Sequence, residues 1–130
     1  MSQNGLASDL APTSATALGQ CLGQFVAAVN DNPRIKKILK DWNPLVVLQT
    51  TDTDEQLHFR IAETTVSMPS PGDAEAPHRI VLQATEETLR SVFSGVVNPV
   101  QAHLAGELAV FATDRDNVKL DAICLVLWGL

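Results

Sequence analysis

Few side chains in this sequence are placed to do chemistry. His58, His78 and His103 are far apart, without the i, i+4 spacing or acidic companion that sets ligands around zinc on one helix face. Each reads as a surface histidine. Cys21 and Cys124 lie more than a hundred residues apart with no CxxC or Cys/His cluster. That pattern offers neither a zinc site nor a disulfide framework, and both read as buried thiols of a cytosolic chain. Acids pair at Glu86/Glu87 and Asp114/Asp116, but neighbouring acids in a first helical turn more often stabilise its positive end than act as acid and base. The sequence has no GxSxG elbow, no glycine-rich phosphate loop and no dinucleotide fingerprint. It therefore predicts no catalytic residue, no metal and no cofactor.

Charge narrows the partners. Nine Lys and Arg against fifteen Asp and Glu give a net charge of -6, which repels phosphate backbones and argues against nucleic acid. Four of the nine bases, Arg34, Lys36, Lys37 and Lys40, sit within one turn and a half of a predicted helix. They form either a plain solvated face or a stripe that docks on an anionic membrane surface or an acidic protein partner. The first fourteen residues are small and polar, without the apolar stretch of a signal peptide, and read as a flexible tail before one domain over 15–130. The longest apolar run, Ala122 to Trp128, falls well short of the ~20 residues that span a bilayer. A soluble, cytoplasmic protein is expected.

The elements that must position these residues follow from periodicity. Leu18, Cys21, Leu22, Phe25, Val26 and Val29 recur at steps of three and four, the stripe of an amphipathic helix. Gly19, Gly23 and Ala27 add a row of small residues that suits tight internal packing. Asn32-Pro33 caps and opens a second helix running to Trp42, with Ile35, Ile38, Leu39 and Trp42 inward, and Asn43-Pro44 closes it. The period then changes to two. Leu45–Thr51, Gln56–Ala62, Thr64–Met68, Arg79–Ala84 and Glu107–Ala112 read as strands, with the Pro-rich stretch from Pro69 to Pro77 as a loop. Thr85 caps a helix carrying Leu89, Val92, Phe93 and Val96. Asn98-Pro99 opens a short one with Val100 and Leu104 on one side, and a last helix begins near Asp114. The one-sided alternation of Gln56–Ala62 points to an antiparallel sheet with helices over one face. From Ala122 to Trp128 the last helix is apolar around nearly its whole circumference, so it is covered on several sides. It is either a central core helix or one with a face left for a bound lipid or a partner.

One segment then becomes informative. Val97-Asn98-Pro99-Val100-Gln101-Ala102-His103-Leu104-Ala105-Gly106-Glu107-Leu108-Ala109-Val110, followed by Lys119-Leu120, resembles the sterol carrier protein type-2 (SCP2-like) lipid-binding domain family. In that family an Asn-Pro-x-x-Ala helix runs into a Gly-Lys-hydrophobic-x-Val strand and then into a helix containing Lys-Leu. The Ala84 to Leu89 helix entry and Gly95 also fit, and the resemblance extends over residues 20–130. Glu107 stands where the family usually has Lys, and Ala112-Thr113 replaces its usual Gly-Asp. The ending Trp128-Gly129-Leu130 is not a peroxisomal signal, so a bacterial or otherwise cytosolic relative is expected.

The resemblance implies an α+β fold, with a five-stranded, mostly antiparallel sheet and helices packed on it around an apolar tunnel. It implies non-catalytic binding, with transfer or presentation, of a fatty acyl chain, phospholipid, sterol-like or isoprenoid lipid. The predicted ligand contacts are Leu89, Val92, Phe93, Val100, Leu104, Phe111, Leu120, Ile123, Leu127 and Trp128. The alternative is an interaction or dimerisation module that uses the apolar C-terminal helix, as a homodimer or accessory to a lipid-handling enzyme.

Overall fold

A computed structural model describes residues 16–129; the expected tail over 1–14 and the domain limits at 15 and 130 lie outside them. The elements are α1 (Ala17–Asn30), α2 (Pro33–Leu39), β1 (Leu45–Thr50), β2 (Gln56–Ala62), β3 (Thr65–Val66), β4 (Ser70–Pro71), β5 (Arg79–Ala84), α3 (Glu86–Phe93), α4 (Pro99–Leu104), β6 (Ala109–Phe111) and α5 (Asp114–Trp128).

Local chemistry fixes the helix starts. Side chains of Thr16, Asn32, Thr85, Asn98 and Thr113 each accept a hydrogen bond from a backbone N–H of the first turn, filling donors that have no partner inside the helix. Pro33 and Pro99 occupy first helical positions, where a missing N–H costs nothing. At α5 the cap is reciprocal: Thr113 Oγ1 accepts from Asp116 N, and Asp116 Oδ2 accepts from Thr113 N, each at 3.1 Å.

The sheet has six strands in the order β3-β2-β1-β5-β6, with β4 also paired to β2. That is one strand more than expected, and the sheet is mostly antiparallel as expected, with a single parallel pairing at its centre. β1 runs antiparallel to β2, with Val46 opposite Phe59, but parallel to β5, with Val46 opposite Ile80. Two sequence expectations are thereby corrected. The stretch read as a proline-rich loop contributes Ser70–Pro71, which pair with His58 and Leu57 on the outer edge of β2, where a proline's missing donor is tolerated. The alternation of β2 belongs to that half-exposed position, whereas Leu45 to Leu48 of β1 are all buried, as a strand covered on both faces requires.

Two helix ends also differ from expectation. α2 stops at Leu39 rather than Trp42, because Lys40 is extended and Asp41 adopts a left-handed φ of 57°; this turn swings Trp42 into the core, 1% exposed. α3 stops at Phe93, and Gly95, at φ +81°, turns the chain so that Val96 points outward instead of completing the apolar stripe. α1 packs on α3 and α2 on α5. The core that results runs from Leu18, Leu22 and Val26 through Val46, Leu48 and Ile80 to Leu89 and Ile123.

Candidate functional site

An apolar cavity of about 230 Å³ opens between α3, α4, α5 and the β5–β6 side of the sheet. Phe25, Leu82, Val92, Phe93 and Ile123 form its deep end and are all buried. Phe25 joins this wall to the core: its ring meets Phe93 edge-on at 4.9 Å and lies 6.0 Å from Trp128 and 6.1 Å from Phe59. Trp128 closes the wall because Gly95 has no side chain. A Cβ there would lie 2.6 Å from the indole ring, closer than packed carbon atoms approach.

Among the described residues the cavity's polar groups are His103, Asn117, Asp121 and the Cys124 thiol, and no Lys or Arg lines it. Asn117, Asp121 and Cys124 follow one another at four and three residues along α5, hence on one helix face. Burial pushes the Asp121 carboxyl above its ordinary value. Burial, and secondarily the Asp121 charge, push the Cys124 thiol up to about 11, so it stays protonated and unreactive at neutral pH. Pro99, Val100, Asp121 and Cys124 are shared with a shallower groove of about 340 Å³ between α4 and α5. The cavity is thus apolar at depth and polar where it meets solvent.

The structure places the sequence-predicted contacts as follows. Val92, Phe93, Val100, Leu120, Ile123 and Trp128 lie together on the cavity wall. Leu89 is fully buried in the core, Leu104 and Phe111 are exposed, and Leu127 packs against the core; none of these four lines the cavity. Sequence reasoning missed Phe25, Leu82, Pro99, His103, Val110, Asn117, Asp121 and Cys124. The spacing of Asn117, Asp121 and Cys124 beside Leu120 and Ile123 was the signal that marked a polar edge on an apolar helix face. Of the two readings of the last helix, a fully enclosed core helix does not hold, since Leu125 is 59% exposed, and the expectation of buried thiols is corrected, both cysteines being only partly buried.

A second constellation looks catalytic but is structural. Asp116 Oδ1 accepts hydrogen bonds from Trp42 Nε1 and His78 Nε2, both at 2.8 Å. The acidic companion that sequence spacing denied to His78 thus arrives from 38 residues away. Burial pushes the Asp116 carboxyl up, but bonds from Trp42, from the Thr113 backbone, from His78 and from the Thr113 side chain together carry it below its ordinary value. Asp116 is 1% exposed, and none of the three residues lines the cavity. The carboxylate ties the turn after α2, the start of β5 and the start of α5 together. Among the described residues no group of three or more His, Cys, Asp or Glu suits a metal, and no helix is long and apolar enough to cross a membrane.

No protein-family profile and no curated protein matches the chain by sequence. Solved structures do match in three dimensions. The sterol carrier protein domain 2 of Helicoverpa armigera shares 12% identity at a TM-score of 0.65, over 87% of this chain and 89% of that one. Palmitated SCP2L2 from Aedes aegypti shares 16% at 0.56, over 85% and 94%. The stereoselective inverting sec-alkylsulfatase Pisa1 from a Pseudomonas species shares 9% at 0.65, over 98% of this chain but only 18% of its own. The chain therefore spans under a fifth of that enzyme. The fold is that of sterol carrier protein 2 domains, an α+β arrangement of a mixed sheet and helices.

Proposed function

We propose that this protein is a non-catalytic carrier that holds the apolar chain of an amphiphilic small molecule in the cavity between α3, α4, α5 and the sheet. The carrying observation is the cavity itself, with buried aromatic and aliphatic walls and polar side chains confined to its solvent side. At about 230 Å³ it lies just below the ~300–1,000 Å³ typical of small-molecule pockets, which suits one alkyl, isoprenoid or flat ring system and leaves the head group outside. Apolar contact discriminates weakly between such chains, so a fatty acyl, phospholipid, sterol-like or isoprenoid tail satisfies the same walls. The fold likeness to palmitated SCP2L2 supports the reading.

The carrier works in the cytoplasm without metal, cofactor or nucleic acid. Exposed Arg34 and Lys37 on α2, with Lys40 just after it, give it a face for an anionic membrane surface or an acidic partner. A second reading is favoured by Val96, Val100, Leu104, Val118 and Leu125, which are exposed around α4 and α5. In it this face pairs with a second copy of the chain as a dimerisation module. Native mass spectrometry of the gently purified protein, with extraction and identification of co-purifying lipid, separates the two. One lipid per monomer supports the carrier. A lipid-free dimer supports the second reading and contradicts the first.

A further inference from the structure

We propose that the solvent-side rim of the cavity, formed by Asp121, Asn117 and His103, selects amphiphiles whose head group donates hydrogen bonds without carrying negative charge, a hydroxyl or an amine, over those ending in a carboxylate. The inference rests on the carrier reading and adds the head-group class to it.

The rim is rich in acceptors. The Asp121 carboxylate makes no hydrogen bond or ion pair with any described residue, although it lines both the cavity and the adjoining groove. Neither cation of its own helix serves it. Arg115 donates to the Asp41 carbonyl at 3.1 Å and Lys119 to the Ile38 carbonyl, both towards the α2 side. At 100° per residue Lys119 projects about 200° from Asp121, across the helix. His103 Nδ1 lies 3.0 Å from the Leu108 carbonyl; a carbonyl only accepts, so Nδ1 carries the hydrogen and Nε2 of the neutral ring is left an acceptor. Asn117 adds an amide that can serve either role. Asp121 lies one turn before Cys124 on the same helix face and lines the cavity with it, so its charge faces the cavity as well as the surface.

A hydroxyl or amine entering this rim gives its hydrogens to groups that lack them. A carboxylate brings only acceptors and a second negative charge, beside an uncompensated one on the exposed rim. The chain's net charge of -6 adds to that repulsion at longer range.

The test titrates the full chain at neutral pH with dodecanol and with dodecanoate below their aggregation limits, following tryptophan fluorescence. Alcohols enter apolar sites more readily than carboxylates for reasons unrelated to Asp121, so the deciding quantity is the change in the affinity ratio on substitution. Asp121→Asn, checked for unchanged thermal unfolding, is expected to lower the dodecanol-to-dodecanoate ratio about fivefold, chiefly by tightening dodecanoate. Asp121→Lys is expected to lower it further. A ratio unchanged in both variants overturns the selectivity and leaves the carrier reading standing. Failure of wild-type protein to bind either ligand overturns the carrier reading, and the selectivity with it.

Discussion

The two ends of α5 are built on opposite principles. At its N-terminal end Asp116 is buried, and both its oxygens are committed to donors on Trp42, His78 and Thr113. From the next residue on, Asn117 and Asp121 face the cavity with side chains that bond no described residue, leading to the apolar wall of Ile123 and Trp128. A buried polar group with every partner in place is structural; its neighbours hold a shape and gain nothing from a ligand. Polar groups left to solvent at the lip of an apolar cavity are free to meet an incoming molecule. One helix thus serves as anchor and as cavity wall, and the two roles are separable by substitution.

The largest effect is expected at the anchor. Asp116→Ala leaves the Trp42 indole N–H and the Thr113 amide without an acceptor and is expected to cost about 3 kcal/mol in urea unfolding, while the folded fraction keeps its ligand affinity. A cost under ~1 kcal/mol contradicts the anchoring role. Because the folded Asp116 carboxyl lies below its ordinary value, the unfolded chain takes up the proton first on acidification. Its contribution is complete above the unfolded value of about 3.9 and is lost as pH falls through the lower folded value. The acid limb of the stability profile in wild type should therefore flatten in Asp116→Asn; parallel limbs would remove Asp116 from the account.

At the C-terminal end of α5 sits the Gly95–Trp128 contact. Gly95→Ala combines a left-handed backbone with a Cβ 2.6 Å from the indole and should cost about 1–3 kcal/mol. It should also red-shift Trp128 emission by driving the ring outward. Unchanged emission would mean that the cavity wall does not depend on this approach. At the cavity mouth the expectation reverses. Val100→Trp, at a position 45% exposed, should leave stability within about 0.5 kcal/mol and weaken ligand binding roughly tenfold, about 1.4 kcal/mol. Loss of stability with binding intact would place the ligand elsewhere. The smallest effect on the fold and on the cavity is expected at the exposed face of α2. Changing Arg34, Lys37 and Lys40 to Gln should reduce sedimentation with phosphatidylserine vesicles at low salt by about 1 kcal/mol per base, without altering stability. Equal sedimentation would show that α2 does not dock there.

What could be read in the sequence was local. The Asn32-Pro33 and Asn98-Pro99 starts, the Thr85 cap and the switch to period two after Pro44 each depend on residues a few positions apart, and the helices and strands begin where those signals stand. The resemblance carried by Val97 to Val110 anticipated the fold. What could not be read depends on long-range placement. Asp116 meets Trp42 across 74 residues and His78 across 38, and the parallel pairing of β1 with β5 joins Leu45 to Arg79 across β2, β3 and β4 in the chain. Periodicity also identifies an apolar face without saying whether anything covers it. For that reason Val92 and Ile123 line the cavity while Leu104 and Phe111, equally apolar on paper, face solvent.

The two tryptophans give the most direct measurement, because one sits in each region: Trp42 in the anchor, bonded to Asp116, and Trp128 on the cavity wall. Their indole N–H signals can be followed together in proton–nitrogen NMR spectra as dodecanol is added. A ligand in the cavity moves the Trp128 signal saturably to a one-to-one end point and leaves the Trp42 signal in place. Two signals that both stay fixed up to the solubility limit, or a Trp42 signal that moves as far as that of Trp128, would contradict the account.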